Sequence, residues 1–182
     1  MHNHSAHQTS KQIDLRVQDI GQLWHTLDPL PFRERDLDSA VEEFLVSWVS
    51  EIAAKGAVGI VVRLPKAEAE REEAGHVGDA IRNYFHYRSE VVGHELRELF
   101  RVGRASLAVG VAVLAACTVV AQIAARGLEP PLGRFFEEGL IILGWVANWH
   151  PLQIFLYGWQ PLLRRRRLYQ RLADAEVTLS PF

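Results

Sequence analysis

Two long stretches without charged side chains stand out in the pattern of hydrophobic and polar positions. Residues 105–125 carry no charge, and residues 139–163 carry none if His150 is neutral. A helix of the first length spans roughly 31 Å at about 1.5 Å per residue, which matches the hydrocarbon core of a bilayer. A chain of 182 residues is too small to cover two such helices on all sides. The pattern therefore predicts two membrane spans rather than two buried core helices.

The charges beside these stretches predict an orientation. Arg97, Arg101 and Arg104 precede the first span, and four consecutive arginines follow the second, whereas the connecting segment carries more glutamate than arginine. Basic flanks remain on the cytoplasmic side of a membrane. We therefore predict a multi-pass membrane protein with both termini in the cytoplasm and the lipid bilayer as its first partner.

Three shorter segments outside the spans predict a small sheet. Residues 13–17 alternate between apolar and polar positions, as a half-buried strand does. Residues 57–64 are apolar at nearly every position, which predicts a strand that is central in its sheet or covered on both faces. Residues 175–179 predict a third, short strand after the second span.

A helix is predicted between the first two strands. Ser39 and Glu42 have the spacing of a capping box at its start, and Gly56 suits its C-terminal end. A strand, a helix and a strand in this order predict a parallel, right-handed crossover. Apolar positions recur at helical spacing along one face: Val41, Phe44, Leu45, Trp48, Val49 and Ile52.

The predicted fold class is an α+β membrane protein: a small three-stranded cytoplasmic sheet with one packed helix, plus a two-helix transmembrane hairpin inserted before the last strand. A helical stalk before the first span would either pack on the domain or associate with copies of itself. The expected segments are a disordered tail at 1–12, a cytoplasmic α+β domain with its connector at 13–78, the stalk at 79–104, the transmembrane hairpin with an interfacial segment at 105–163, and a cytoplasmic segment that completes the sheet at 164–182.

Composition and motifs exclude several kinds of chemistry. Cys117 is the single cysteine, so neither an intrachain disulfide nor a cysteine metal site can form. The formal net charge of −2 gives no argument for nucleic acid as a partner. The chain has no glycine-rich phosphate loop, no HExxH zinc motif and no nucleophile elbow. We therefore predict no catalytic residue, no metal site and no cofactor, and we interpret His2, His4 and His7 as part of a polar tail.

Three polar residues interrupt the second apolar stretch. Asn148, His150 and Gln153 form a candidate polar membrane site, because polar groups within a bilayer are costly and indicate function or helix contact. Pro151 frees a backbone carbonyl, which predicts an irregular helix at this point. If the span starts near Phe135, His150 lies close to the inner headgroups. The sequence leaves this position open against one inside a pore.

A second candidate site follows the first predicted strand. Asp28, Phe32, Arg33, Glu34 and Arg35 form a candidate interaction loop for a protein partner or for lipid headgroups. The structural alternative assigns Asp28 to a turn cap and Phe32 to the core. We favour the structural role for this segment.

Basic and small residues beside and within the spans are further candidates. Ser106 and Gly110 have the small-xxx-small spacing that lets helices approach closely. The basic run after the second span can bind anionic lipid headgroups, although a topology signal is a sufficient explanation for it. This run consists of Arg164, Arg165, Arg166 and Arg167.

Two segments resemble those of small uncharacterised bacterial two-span membrane proteins: LDPLPFRERDLDSAVEEFLVSW at 27–48 and GWVANWHPLQIFLYGWQPLLRRRRLYQRL at 144–172. Members of that family tend to have arginine at the position of His150 and acidic residues at the positions of Gln153 and Gly158. The departures in this chain argue against a charge-based mechanism at these positions. The resemblance implies the two-span architecture, and it implies no activity or cofactor.

These features lead to one functional expectation and two alternatives. We expect a non-enzymatic bacterial inner-membrane protein that forms a homo-oligomer and uses its cytoplasmic domain for partner or subunit binding. The first alternative is a homo-oligomeric channel or transport component lined by the polar residues of the second span. The second, a membrane-bound enzyme using His25, Asp28 and Glu34, rests only on proximity in sequence.

Overall fold

The computed structural model describes residues 11–25, 36–51, 58–127 and 129–182. The chain has an α+β fold with a three-stranded sheet and two long apolar helical stretches. The strands are β1 (Lys11–Arg16), β2 (Val58–Leu64) and β3 (Glu176–Pro181). The helices are α1 (Ser39–Glu51), α2 (Lys66–Ala69), α3 (Val77–Gly127), α4 (Pro130–Ala147), α5 (Trp149–Gln153) and α6 (Trp159–Ala173), with 3-10 turns at Ile20–Leu23 and Glu72–His76 and a π-helical turn at Ile154–Gly158.

The sheet has the order β1-β2-β3, and both strand pairs are parallel. Ile60 of β2 pairs with Ile13 of β1 and with Val177 of β3. The three strands predicted from the sequence are therefore confirmed, with ends that differ by one or two residues. The central position of the second strand and the parallel pairing of the first two strands are confirmed as well.

Helices cover one face of this sheet. Helix α1 buries Leu45 and Val49, the first turns of α3 bury Ile81 and Phe85, and the last turns of α6 bury Tyr169. Full burial of such a side chain contributes about 1.5–3 kcal/mol. The sheet thus packs against three helical segments, which is more cover than the single packed helix predicted from the sequence.

The start of α1 differs from the sequence prediction. Asp38 Oδ1 accepts a hydrogen bond from the backbone N–H of Ala40 at 2.9 Å, so Asp38 caps the helix. The side chain of Glu42 bonds instead to residues of other helices. The capping box predicted from Ser39 and Glu42 is therefore wrong, because the Glu42 carboxylate has stronger partners elsewhere.

The chain divides into two compact units. The first contains the described residues up to Val92 together with Arg164–Phe182, and the second is Gly93–Leu163. Strand β3 follows the second unit in the chain and pairs with β2, which precedes it. The first unit is therefore built from chain segments on both sides of the second.

The second unit is an antiparallel helical pair, formed by α3 from Gly93 onward and by the helical stretch from α4 to Leu163. Two stretches, Glu72–Gly127 and Pro131–Ala173, are long and apolar enough to cross a membrane. Only 17% and 22% of their most apolar windows are buried, whereas a core helix of a soluble protein would be mostly buried. Large apolar side chains accordingly face outward, including Val109, Ile123 and Phe135.

Helix regularity changes along the two members of this pair. Helix α3 runs through Gly93 and Gly103 without interruption. The second member is interrupted at Asn148, three residues before Pro151, and passes through a π-helical turn at Ile154–Gly158. The irregularity lies where Pro151 predicts it, because proline removes a helical hydrogen bond.

Candidate functional site

A cluster of polar side chains joins three helices of the first unit, with Glu42 of α1 at its centre. The Tyr84 hydroxyl of α3 donates to Glu42 Oε2 at 2.7 Å, and the Tyr169 hydroxyl of α6 donates to Oε1 at 2.6 Å. Arg88 donates to Oε1 from Nη2 at 2.9 Å and from Nε at 3.2 Å. Arg165 Nε donates to the Tyr169 hydroxyl at 3.0 Å. We call these five residues the glutamate network.

The glutamate network is largely withdrawn from solvent. Tyr169 is 1% exposed, and the side chain of Glu42 is 16% exposed. A buried carboxylate is costly unless it is paired and hydrogen-bonded, and here both oxygens of Glu42 accept hydrogen bonds. These hydrogen bonds connect α1, α3 and α6. The Glu42 carboxylate is occupied by them and does not face an open cleft.

The surroundings of Glu42 set its protonation. Burial by itself raises the pKa of the Glu42 carboxyl, but hydrogen bonds from Tyr169, Tyr84 and Arg88, together with the charge of Arg88, lower it below its ordinary value. Burial and the adjacent carboxylate raise the pKa of Tyr84. At neutral pH the network therefore contains an ionised glutamate and a protonated Tyr84.

The lowered pKa of Glu42 predicts a pH-dependent contribution to stability. The contribution is complete above the pKa of an unfolded glutamate, about 4.3, and is lost as the pH falls through the lower pKa of the folded state. We expect the difference in unfolding midpoint between the wild type and Glu42→Gln to be largest near neutral pH and to narrow in acid. A difference that stays constant in thermal melts down to the most acidic pH at which the chain folds would contradict this assignment.

Glycines from both members let the helical pair approach closely. A Cβ atom on Gly144 would lie 2.6 Å from Leu114 Cδ1 and 3.1 Å from Leu114 Cα on the facing helix. A Cβ atom on Gly110 would lie 2.6 Å from Asn148 Oδ1. These separations leave no room for a side chain, which is the packing expected of small residues between membrane helices. The glycines of this glycine seam are Gly103, Gly110, Gly133 and Gly144.

Asn148 connects the two helices of the glycine seam through side-chain hydrogen bonds. Its side-chain Nδ2 donates to the backbone oxygen of Gly110 at 3.0 Å and to that of Gly144 at 2.9 Å. The residue is 6% exposed. Both amide hydrogens are thus used within one copy of the chain, and they link the two helices at the point where α4 ends.

Removing these hydrogen bonds should destabilise the helical pair moderately. We expect Asn148→Ala to lower the free energy of unfolding by about 1 kcal/mol, the usual scale for a side-chain hydrogen bond between membrane helices. The measurement is SDS-induced unfolding of the chain in a mild detergent. Gln153→Ala is the matched control, because Gln153 is exposed and should leave the free energy unchanged.

The three residues of the candidate polar membrane site do not share a surface. Asn148 is buried between the helices, whereas His150 and Gln153 are exposed on the outside of the pair. His150 borders an open groove of about 370 Å³ with Ser106 and Val109. A pore lined by all three side chains stays a prediction for an assembly of several copies.

Two other predicted groups fall wholly or partly outside the described residues. The candidate interaction loop, with Asp28, Phe32, Arg33, Glu34 and Arg35, lies outside them. Of the three residues of the enzyme alternative, His25 is described, whereas the other two belong to that loop.

The basic run of α6 is divided between two roles. Arg164 and Arg167 are exposed and suit contact with headgroups. Arg165 is exposed but directs its Nε to Tyr169, and Arg166 is half-buried. The lipid-headgroup assignment stays a prediction for the outward members of the run.

The second face of the sheet is open. Alternate strand residues point to opposite faces, so the register places three rows of side chains on this face: Gln12, Gly59 and Glu176 in the first, Asp14, Val61 and Thr178 in the second, and Arg16, Arg63 and Ser180 in the third. None of these nine residues is buried. We call this surface the open sheet face.

Comparisons with protein-family models, with curated proteins and with solved structures give no match. Within the four described ranges, no group of three or more histidine, cysteine, aspartate or glutamate side chains is arranged to hold a metal ion.

The glutamate network was not predicted from the sequence, although two local signals for it exist. Tyr84 and Arg88 are four residues apart on α3, and Arg165 and Tyr169 are four residues apart on α6. Such pairs lie on one side of a helix and can present a hydroxyl and a guanidinium together. Their common partner, Glu42, is far away in the chain and carries no such signal.

Proposed function

We propose that this chain is a non-enzymatic bacterial inner-membrane protein that self-associates and presents its α+β domain as a binding module at the cytoplasmic surface. The helical pair is its two-span membrane anchor. The first unit binds a second copy or a protein partner.

The observation that carries the proposal is the way the sheet is completed. Strand β2 lies before the helical pair in the chain, strand β3 lies after it, and the two strands are hydrogen-bonded neighbours. Strands cannot pair in this way across a bilayer, so both ends of the anchor belong on one side of the membrane. The arginines that flank the anchor support the cytoplasmic side.

The surface of the helical pair supports a lipid environment. Its polar Asn148 is satisfied inside, while Ile123, Phe135 and Trp145 are 65%, 72% and 62% exposed. In water, a large outward apolar surface of this kind would cause aggregation or demand a partner. In a bilayer, the same surface is solvated by lipid tails.

The alignment of the two helices supports a position of His150 near the cytoplasmic side of the bilayer. Gly103 lies against Ile154 and Phe155, so the adjacent Arg104 is level with this part of the second helix. A charged side chain at that level suits the cytoplasmic boundary of the hydrocarbon core. His150 is four residues before Ile154, about 6 Å along the helix toward the bilayer centre. It therefore lies close to the cytoplasmic boundary of the hydrocarbon core, near the inner headgroups.

The first unit supports a binding role rather than a catalytic one. Its glutamate network is internally satisfied, and its other distinctive polar surface is the open sheet face, which no helix of the described chain covers. Parallel sheets are usually covered on both faces. An uncovered face on a tethered domain is suited to another protein surface.

The test of the proposed function is the mass of the intact complex released from membranes in mild detergent, measured by native mass spectrometry. We expect a defined oligomer whose mass is a multiple of 20.6 kDa after lipid and detergent are removed. A monomer at all concentrations would contradict self-association. Glu43→Ala, an exposed change on α1, serves as the control and should leave the mass distribution unchanged.

A further inference from the structure

We propose that the open sheet face is the self-association surface and that its partner is the same face of a second copy, related by a two-fold axis. This inference rests on the self-association in the proposed function, and it adds the surface, the partner and the geometry. It is carried by the charge pattern of the three rows of side chains.

Opposite corners of the open sheet face carry opposite charge. Glu176 begins β3 at one outer edge, with Asp174 two residues before it. Arg16 ends β1 at the other outer edge, beside Arg63 of β2. The corners are about 13 Å apart along the strands and about 10 Å apart across them. The face is therefore an electrical dipole along its diagonal.

Local contacts hold the basic corner in place. The guanidinium of Arg16 lies 4.3 Å from the ring centre of Phe182, a cation–π contact. Arg63 Nε donates to Asp14 Oδ1 at 3.1 Å, so Asp14 offsets much of the charge of Arg63. The net positive charge of this corner therefore belongs mainly to Arg16, which makes Arg16 the side chain to test.

The acidic corner can receive a long side chain. A depression of about 300 Å³ lies over Gly59, with Gln12 on one side and Asp174 and Glu176 on the other. Gly59 has no side chain to fill the floor between its neighbours in the row. An arginine reaching in from outside would meet two carboxylates there, a geometry suited to charge-assisted hydrogen bonds.

A two-fold axis makes these corners meet. An axis through Val61, running along the diagonal from Gln12 to Ser180, places the acidic corner of one copy over the basic corner of the other. The same operation repeats the contact on the other side, as an isologous interface requires. Because the face is nearly square, the strands of the two copies cross at a steep angle, one of the known ways in which sheets pack. Val61, an apolar residue at the centre, packs against itself.

The size of the face explains why the contact belongs to a membrane protein. Three strands of six or seven residues cover on the order of 300 Å², which is well below the roughly 800 Å² per partner of a stable soluble interface. Anchoring both copies in one bilayer raises their effective concentration, so a small complementary surface is enough. A free soluble partner would not have that advantage.

The first part of the test is a single-cysteine crosslink in native membranes, using the full chain with Cys117→Ser. Val61→Cys lies on the proposed axis, so oxidation should give a covalent dimer on a non-reducing gel. Glu43→Cys is the control, because Glu43 is exposed on α1, in the helical layer away from the open face. Crosslinking at the control position with none at the Val61 position would overturn the proposal.

The second part exchanges charge between the corners in the Val61→Cys chain. Arg16→Glu makes both corners acidic and Glu176→Lys makes the opposite corner basic, so each variant alone should crosslink about tenfold less. Co-expressed, the two variants complement each other, and the crosslinked dimer should return as a heterodimer. Failure of the mixture to recover, or no effect of either variant, would overturn the proposal.

The mass measurement separates this inference from the proposed function. If wild-type membranes yield an oligomer that neither charge change disturbs, another surface joins the copies and only the sheet-face inference is wrong. If wild-type membranes yield only monomers, self-association itself is wrong.

Discussion

Replacing Gly144 by isoleucine should disrupt the helical pair more than any other single change in the second unit. The new Cβ atom would lie 3.1 Å from Leu114 Cα, and backbone atoms cannot move aside as the end of a side chain can. Overpacking of this kind costs about 1–3 kcal/mol, and we expect the upper end of that range or more because the helices must separate. SDS-induced unfolding of the purified chain measures the loss.

The matched control for this change is Gly139→Ile on the same helix. An added Cβ atom at Gly139 meets nothing within 4 Å, and the position faces outward. Both substitutions change the same residue type within α4, so helix propensity contributes equally to each. Equal losses for Gly144→Ile and Gly139→Ile would show that the glycine seam does not hold the pair together.

Glu42→Ala should be the most damaging substitution in the first unit. It removes the acceptor shared by Tyr84, Arg88 and Tyr169 and leaves those three groups buried or half-buried without it. Removing one partner from such a cluster lowers the free energy of unfolding by about 2–4 kcal/mol, because the remaining groups lose their hydrogen bonds but stay out of water. The loss appears as a lower thermal unfolding midpoint, with a larger fraction of unfolded chain at growth temperature.

Glu43→Ala controls for the loss of a glutamate from α1. Glu43 is the next residue in the helix and is exposed. Surface substitutions of this kind usually change stability by less than about 0.5 kcal/mol. If Glu43→Ala were as destabilising as Glu42→Ala, the effect would come from helix α1 itself and not from the glutamate network.

The elements that could be predicted from the sequence are those with a strong local pattern. The run at 58–64 is apolar at nearly every position, and such a run in a small domain has few places other than the centre of a sheet. The two apolar stretches can likewise be recognised in the sequence by their length and by their lack of charged residues. The single packed helix was an underestimate, because the apolar positions at the start of α3 fit a free stalk and a packed helix equally well.

The contacts that define the candidate site depend on residues far apart in the chain. Glu42 and Tyr169 are separated by 127 positions, and nothing in the helical spacing around either residue predicts the pairing. Glu42 also fits a capping box by spacing alone, so the local pattern favours a role that the tertiary partners override. Asn148 was identified as unusual because it is polar within an apolar run. Its role as a tie to Gly110 depends on the register of the two helices, which only the structure defines.

The measurement that tests the central claim most directly is the sidedness of three single cysteines in a Cys117→Ser chain. Glu129→Cys lies between the two spans, Glu73→Cys lies before them, and Gln170→Cys lies after them; all three positions are exposed. In spheroplasts, a membrane-impermeant maleimide should label only Glu129→Cys, and permeabilisation should be required to label the other two. Labelling of all three in intact spheroplasts, or of Glu73→Cys and Gln170→Cys from opposite sides, would contradict the two-span anchor.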